Sequence, residues 1–202
     1  MIAVALWAFL FGCAAFVGLV ASQLLSANIV ALDDGPKPVH VHEAVFIVLF
    51  AAVGYVLAIR GATVLQLGLV ALIGVPLIGA CYSDLRKGIV PDAFTLIPIA
   101  IIAVAVVINH YWWVAASMLL IFIAFAIASW FSKGLGIGWG DTKLATLCAA
   151  VLGLQDALLA LAIACLVATG VSVIRSRGKQ PVALAPFIVL AALTTIVLTV
   201  HA

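Results

Sequence analysis

Apolar residues run along this chain in blocks longer than a soluble core uses, separated by short polar interruptions. Met1 to about Ser26 carries no charge at all. It is long enough to span a bilayer and lacks the basic start of a signal peptide, so it reads as a first transmembrane helix. Ala27 to Glu43 is the longest polar stretch, with Asp33-Asp34-Gly-Pro and Lys37-Pro38 as loop punctuation. Ala44 to Ile59 predicts a second span, closed by Arg60-Gly61, and Ala62 to about Tyr82 a third. That third span delivers the chain to a polar segment, Ser83 to Asp92. Ala93 to about Ile108 is a fourth span, and Tyr111, Trp112 and Trp113 read as an interfacial aromatic belt ahead of a fifth ending near Phe131. Ser132 to Gly140 is a glycine-rich loop, Asp141 to Leu154 a short sixth helix, and a seventh span ends near Ile174. A basic loop from Arg175 to Pro181 precedes the eighth span, Val182 to Val200.

Composition turns this pattern into a class. Of 202 residues, 68% are hydrophobic and 8% charged, against about half apolar and about a quarter charged in a soluble domain. The expectation is an all-α, polytopic membrane protein with about eight helices, a single domain over residues 1–202. Lys and Arg sit between the apolar blocks, where they carry topology rather than nucleic-acid binding. Lys37, Arg86, Lys87, Lys133, Arg175, Arg177 and Lys179 fall in one set of alternate loops, and only Arg60 in the other. The positive-inside rule makes the first set cytoplasmic and both termini extracytoplasmic. Cys13, Cys81, Cys148 and Cys165 form no CxxC pair, which excludes zinc-ribbon and thioredoxin-type motifs by spacing. They read as small buried residues, with Cys81 close enough to Asp84 in sequence to line a site. His40 and His42 form a His-x-His pair without further ligands, so a solvated loop is the expectation and no metal or cofactor is assigned.

The chemistry concentrates in Gly136-Ile-Gly138-Trp139-Gly140-Asp141-Thr142-Lys143-Leu144. Three glycines at alternate positions predict a cleft without side chains in front of Asp141, where a methyl group at Gly138 or Gly140 would fill the space or forbid a positive φ. A carboxylate at the mouth of a membrane helix is a functional hypothesis by default, although Asp also serves simply as an N-cap. A second acid, Asp84, decides between them. The topology brings Asp84 and Asp141 to the cytoplasmic ends of the third and sixth helices. Two neighbouring carboxylates in a low-dielectric site cannot both ionise easily and titrate as a pair. Such a pair suits peptide hydrolysis, one member activating water while the other polarises the scissile carbonyl. No GxSxG or HExxH offers another route.

These residues carry a family resemblance. Asp84-Leu-Arg-Lys-Gly-Ile-Val-Pro91-Asp92 resembles the segment of type IV prepilin peptidases in which Asp is followed after six residues by Pro-Asp or Pro-Asn. Gly138-Trp139-Gly140-Asp141-Thr142-Lys143-Leu144 resembles their Gly-x-Gly-Asp-x-Lys-Leu segment, whose Gly-x-Gly-Asp is shared with presenilin-type aspartyl proteases. Pro186-Phe187 resembles a Pro-Phe near the start of the family's last helices. The resemblance covers roughly Ala80 to Leu190 and defines a catalytic core of about residues 80–190. It implies an intramembrane aspartyl endopeptidase that removes the short basic leader of prepilins or pseudopilins at the cytoplasmic face of the bacterial inner membrane. Asp84 and Asp141 are then the catalytic pair, Gly138 and Gly140 shape the site, and Asp92 caps the fourth helix. Lys143 is a candidate to stabilise the charged member of the pair, against the alternative of an interfacial snorkelling lysine.

Larger members carry paired CxxC motifs in an insert after the first helix, a place held here by residues 27–43 alone. This compact form resembles the peptidases attached to tight-adherence pili or small secretion systems, and methyl transfer is not expected of it. The competing class is a small proton- or ion-coupled transporter with membrane acids as a relay. Both acids lie at one face and no inverted repeat is visible, which disfavours it. An inactive assembly subunit is disfavoured by the intact acid pair.

Overall fold

In the computed structural model, described for residues 2–26, 42–132, 137–176 and 182–199, the chain is all-helical. Its elements are α1 (Ile2–Ser26), α2 (Glu43–Ile59), α3 (Val64–Lys87), α4 (Ala93–Asn109), α5 (Trp112–Phe131), α6 (Trp139–Leu152), α7 (Leu154–Ser176) and α8 (Ala185–Thr199). By length and composition α1, α3, α5 and most of α7 can each cross a membrane, and α2, α4 and α8 are shorter apolar helices. Large apolar side chains such as Leu24, Leu72, Ile101, Ile108, Leu119 and Leu166 face outward along these helices. Only hydrocarbon tolerates so much exposed apolar surface. This is a multi-pass membrane protein. Exposed Trp112 and Trp113 open α5, and exposed Trp130 and Phe131 close it. At 1.5 Å per residue the two aromatic pairs stand about 27 Å apart, close to the roughly 30 Å of a hydrocarbon core.

Local signals set the boundaries. Thr63 starts α3 with a capping box: its backbone N–H donates to Gln66 Oε1 (2.9 Å), and Gln66 N–H donates to Thr63 Oγ1 (3.3 Å). The sequence reading ends this helix near Tyr82, but it continues to Lys87. Ser83 to Lys87 contains no helix breaker, and Arg86 and Lys87 complement the negative end of the helix. It stops at Gly88, where φ is +66° and the N–H donates to Asp84 O, an αL terminus that glycine adopts without strain. α6 likewise begins at Trp139 rather than Asp141. Gly153, at φ +77°, separates it from α7.

Close approach of helices replaces large buried side chains at several crossings. A Cβ on Gly18 of α1 would lie 2.5 Å from Val75 O of α3, and one on Gly74 of α3 would lie 1.9 Å from Phe50 Cζ of α2. Phe50 in turn packs on Phe11, with ring centroids 4.9 Å apart. Small residues at helix contacts are how membrane helices gain dispersion without a hydrophobic drive.

The polar side chains sort to the two ends. At one end Glu43 Oε1 accepts from Gln23 Nε2 (2.5 Å) and Tyr82 OH (2.6 Å), Arg86 donates to Tyr82 OH (2.9 Å), and Lys87 Nζ donates to Ser26 O. These bonds tie the last turns of α1 and α3 to the start of α2. At the other end Arg60 donates to Val197 O at 2.7 Å, joining the ends of α2 and α8. Lys37, Lys133, Arg177, Lys179 and His40 lie outside the described residues.

Candidate active site

Asp84 occupies the last turn of α3 and is only 7% exposed. Its Oδ2 accepts the backbone N–H of Ala185, the first residue of α8, at 3.1 Å. The free N–H groups and positive dipole end of a helix start make a natural seat for a carboxylate. Asp141 has an equivalent seat on its own helix. Gly138 holds the N-cap position of α6 at φ −82°, and its N–H donates to Asp141 Oδ2 at 3.1 Å. Glycine has no side chain to return that bond, so this is one half of a capping box, made by the acid alone. The two seats lie at the same end of the bundle, where α6 and α8 pack together. Two acids 57 positions apart in sequence thus meet at one end of the bundle, each holding a helix start by one oxygen. Buried Cys81 stands three residues before Asp84 on α3, one helical turn away.

The segment between α3 and α4 ties the acid-bearing elements together. Ser83 Oγ donates to Ile89 O (2.7 Å), which folds the segment back on α3. Pro91 is buried at its far end. Gly140 faces the middle: a Cβ there would stand 2.9 Å from Val90 Cβ and 3.3 Å from its Cγ2. Thr142, fully buried, donates through Oγ1 to Gly138 O at 3.2 Å and firms the first turn of α6. Trp139 is exposed.

Three expectations need correction. Asp92 stands at the N-cap position of α4 but makes no side-chain cap bond; its Oδ1 meets Lys143 Nζ at 2.5 Å. Lys143 is therefore paired with Asp92 and is not a free snorkelling cation. Helical geometry explains this, because a residue two positions after Asp141 points to the opposite side of α6, whereas Gly140 and Lys143, three apart, share a face. Finally, neither Gly138 nor Gly140 takes a positive φ. Gly140 is required by contact with Val90, whereas among the described residues the nearest atom to a Cβ on Gly138 is Asp141 Oδ2, at 3.4 Å.

Sequence reasoning missed the contribution of α8. The signal was a proline in the first turn after an apolar loop, Leu184-Ala185-Pro186, which marks a helix start but not what that start would hold. Among the described residues no three His, Cys, Asp or Glu side chains gather as a metal site.

The type IV leader peptidase family matches residues 71–173, just over half of the chain, from the middle of α3 to near the end of α7 and including both acids. No curated protein and no solved structure matches the chain.

Proposed function

Because the chain belongs to the type IV leader peptidase family, we propose that it is an aspartic-type endopeptidase that removes the short basic leader of prepilins or pseudopilins, with Asp84 and Asp141 as the catalytic pair. One observation carries this reading: two acids from separate segments, at one end of a membrane bundle, each accept a backbone N–H at a helix start, Asp84 from Ala185 and Asp141 from Gly138. A water between them loses a proton to the ionised carboxylate as its oxygen attacks the scissile carbonyl carbon. The protonated partner donates to the carbonyl oxygen, and a proton then passes to the leaving amine nitrogen as the C–N bond breaks. No covalent intermediate forms. The bonds from Gly138 and Ala185 hold one oxygen of each acid and leave the other for water and substrate. No observation at the site favours the ion-relay reading.

The whole chain acts as one domain on this proposal. Its catalytic core reaches past the matched residues to about 190, since Ala185 bonds Asp84. The test is cleavage of a synthetic peptide, a short basic leader joined to an apolar stretch, by the purified protein in liposomes. Mass spectrometry should find two products from a single bond; failure with every leader-bearing substrate overturns the assignment.

We further propose that the acids face the cytoplasm at the bacterial inner membrane. Arg86, Lys87 and Lys143 lie at the acid end of the bundle and Arg60 at the other, which supports that orientation by the positive-inside rule. Reporter fusions at Asp92 should read as cytoplasmic and at Gly61 as extracytoplasmic. The opposite pattern rejects the orientation.

A further inference from the structure

We propose that Asp92 and Lys143 form a positioning clamp that fixes the separation of the Asp84 and Asp141 carboxylates, a role that rests on the peptidase reading above. Four contacts make a continuous path between the acids. Gly88 N–H donates to Asp84 O, and Ser83 Oγ donates to Ile89 O, so the segment after Asp84 is bound to α3. Val90 then lies against Gly140, and Asp92 meets Lys143. The last two contacts fall on one face of the first turn of α6, immediately before Asp141 and two residues after it. These two contacts hold the first turn of α6 against this segment, and their loss loosens the position of Asp141 relative to Asp84.

Two features set this pair apart from an ordinary surface contact. Asp92 holds a position where its carboxylate normally caps the helix behind it, yet it turns away; Thr95 N–H and Phe94 N–H start α4 on the backbone carbonyls of Asp92 and Pro91 instead. The Lys143 side chain is only 23% exposed, whereas that of Asp92 is 64% exposed, so the lysine stem is packed and its ammonium is delivered to one partner. Ion pairs with an exposed member add little to global stability. The consequence of breaking this one therefore falls on geometry. A small misplacement of a reacting group slows chemistry without weakening substrate binding.

The experiment measures kcat and KM separately on the leader peptide for Asp92→Asn, Lys143→Met, Lys143→Arg and the reversed pair Asp92→Lys with Lys143→Asp. Asp92→Asn and Lys143→Met should each lose about tenfold in kcat with KM within about twofold. Lys143→Arg and the reversed pair should recover most of that loss, with melting temperatures close to wild type. Undiminished kcat in the single variants, a change in KM alone, or no recovery in Lys143→Arg overturns the clamp. A second readout does not depend on cleavage. Spin labels on Leu96→Cys of α4 and Trp139→Cys of α6, both exposed, in a background with the four native cysteines replaced, should show a broader distance distribution once Lys143→Met is added. An unchanged distribution overturns the clamp even if the wild type cleaves, and a broadened one with an inactive wild type upholds the clamp while rejecting the peptidase reading.

Discussion

Asp84→Asn and Asp141→Asn are each expected to reduce leader cleavage on the order of a thousandfold, the scale of lost general acid–base catalysis, while the protein still inserts and extracts as wild type. Asparagine is the informative replacement because its side-chain oxygen can still accept. The bond from Ala185 N–H to position 84 and that from Gly138 N–H to position 141 can both persist, so the starts of α8 and α6 stay in place. What disappears is the capacity to take up and release a proton. Alanine would remove both properties at once and confuse a loosened helix with a lost catalyst. The measurement is single-turnover cleavage of the leader peptide with thermal unfolding in parallel. An asparagine variant that retains a tenth or more of the wild-type rate removes that acid from the catalytic pair.

The glycines before Asp141 are expected to separate into two kinds. Gly140→Ala places a methyl 2.9 Å from Val90 Cβ, and a Cβ held by its own backbone cannot rotate aside. Either the segment after Asp84 or the first turn of α6 must move. Overpacking of this kind costs about 1–3 kcal/mol, and the accompanying shift of Asp141 should slow cleavage about a hundredfold. Adding Val90→Gly removes the Cβ that the methyl meets together with the Cγ atoms, so the double variant should regain much of the rate. Among the described residues Gly138→Ala meets nothing closer than Asp141 Oδ2 at 3.4 Å, from a φ of −82° that alanine adopts freely. Its stability should match wild type, and any loss of rate then reports substrate space in front of the carboxylate. If Gly140→Ala cleaves normally, Val90 does not constrain the site.

The helices were legible because their apolar blocks are long and the breaks between them carry glycine, proline or clustered charge. The acid pair was legible because charge is scarce in this chain, so Asp84 and Asp141 stand out by their setting alone. Helix ends were less visible. Ser83 to Lys87 is polar and reads as a loop, yet nothing in it opposes helix, and only Gly88 ends the run. The partners of Asp92 and Lys143 depend on how α4 and α6 cross, which no local pattern encodes. Spacing along a helix could have shown that Lys143 faces away from Asp141, but not that Asp92 would be waiting there. The glycines were read as open space in front of Asp141 or as backbone freedom; the space at Gly140 is instead taken by Val90, a property of the neighbouring element rather than of the residue.

The bond between Ala185 N–H and Asp84 spans 101 residues of chain, and this has a consequence for biosynthesis. A ribosome feeding this protein into a membrane releases α3 early and α6 next, so both acids emerge well before α8 exists. Until α8 folds in, Asp84 lacks the donor that holds its carboxylate. A nascent chain, or one truncated before α8, would thus carry both acids without the finished site, and the arrival of α8 would be the step that arms it.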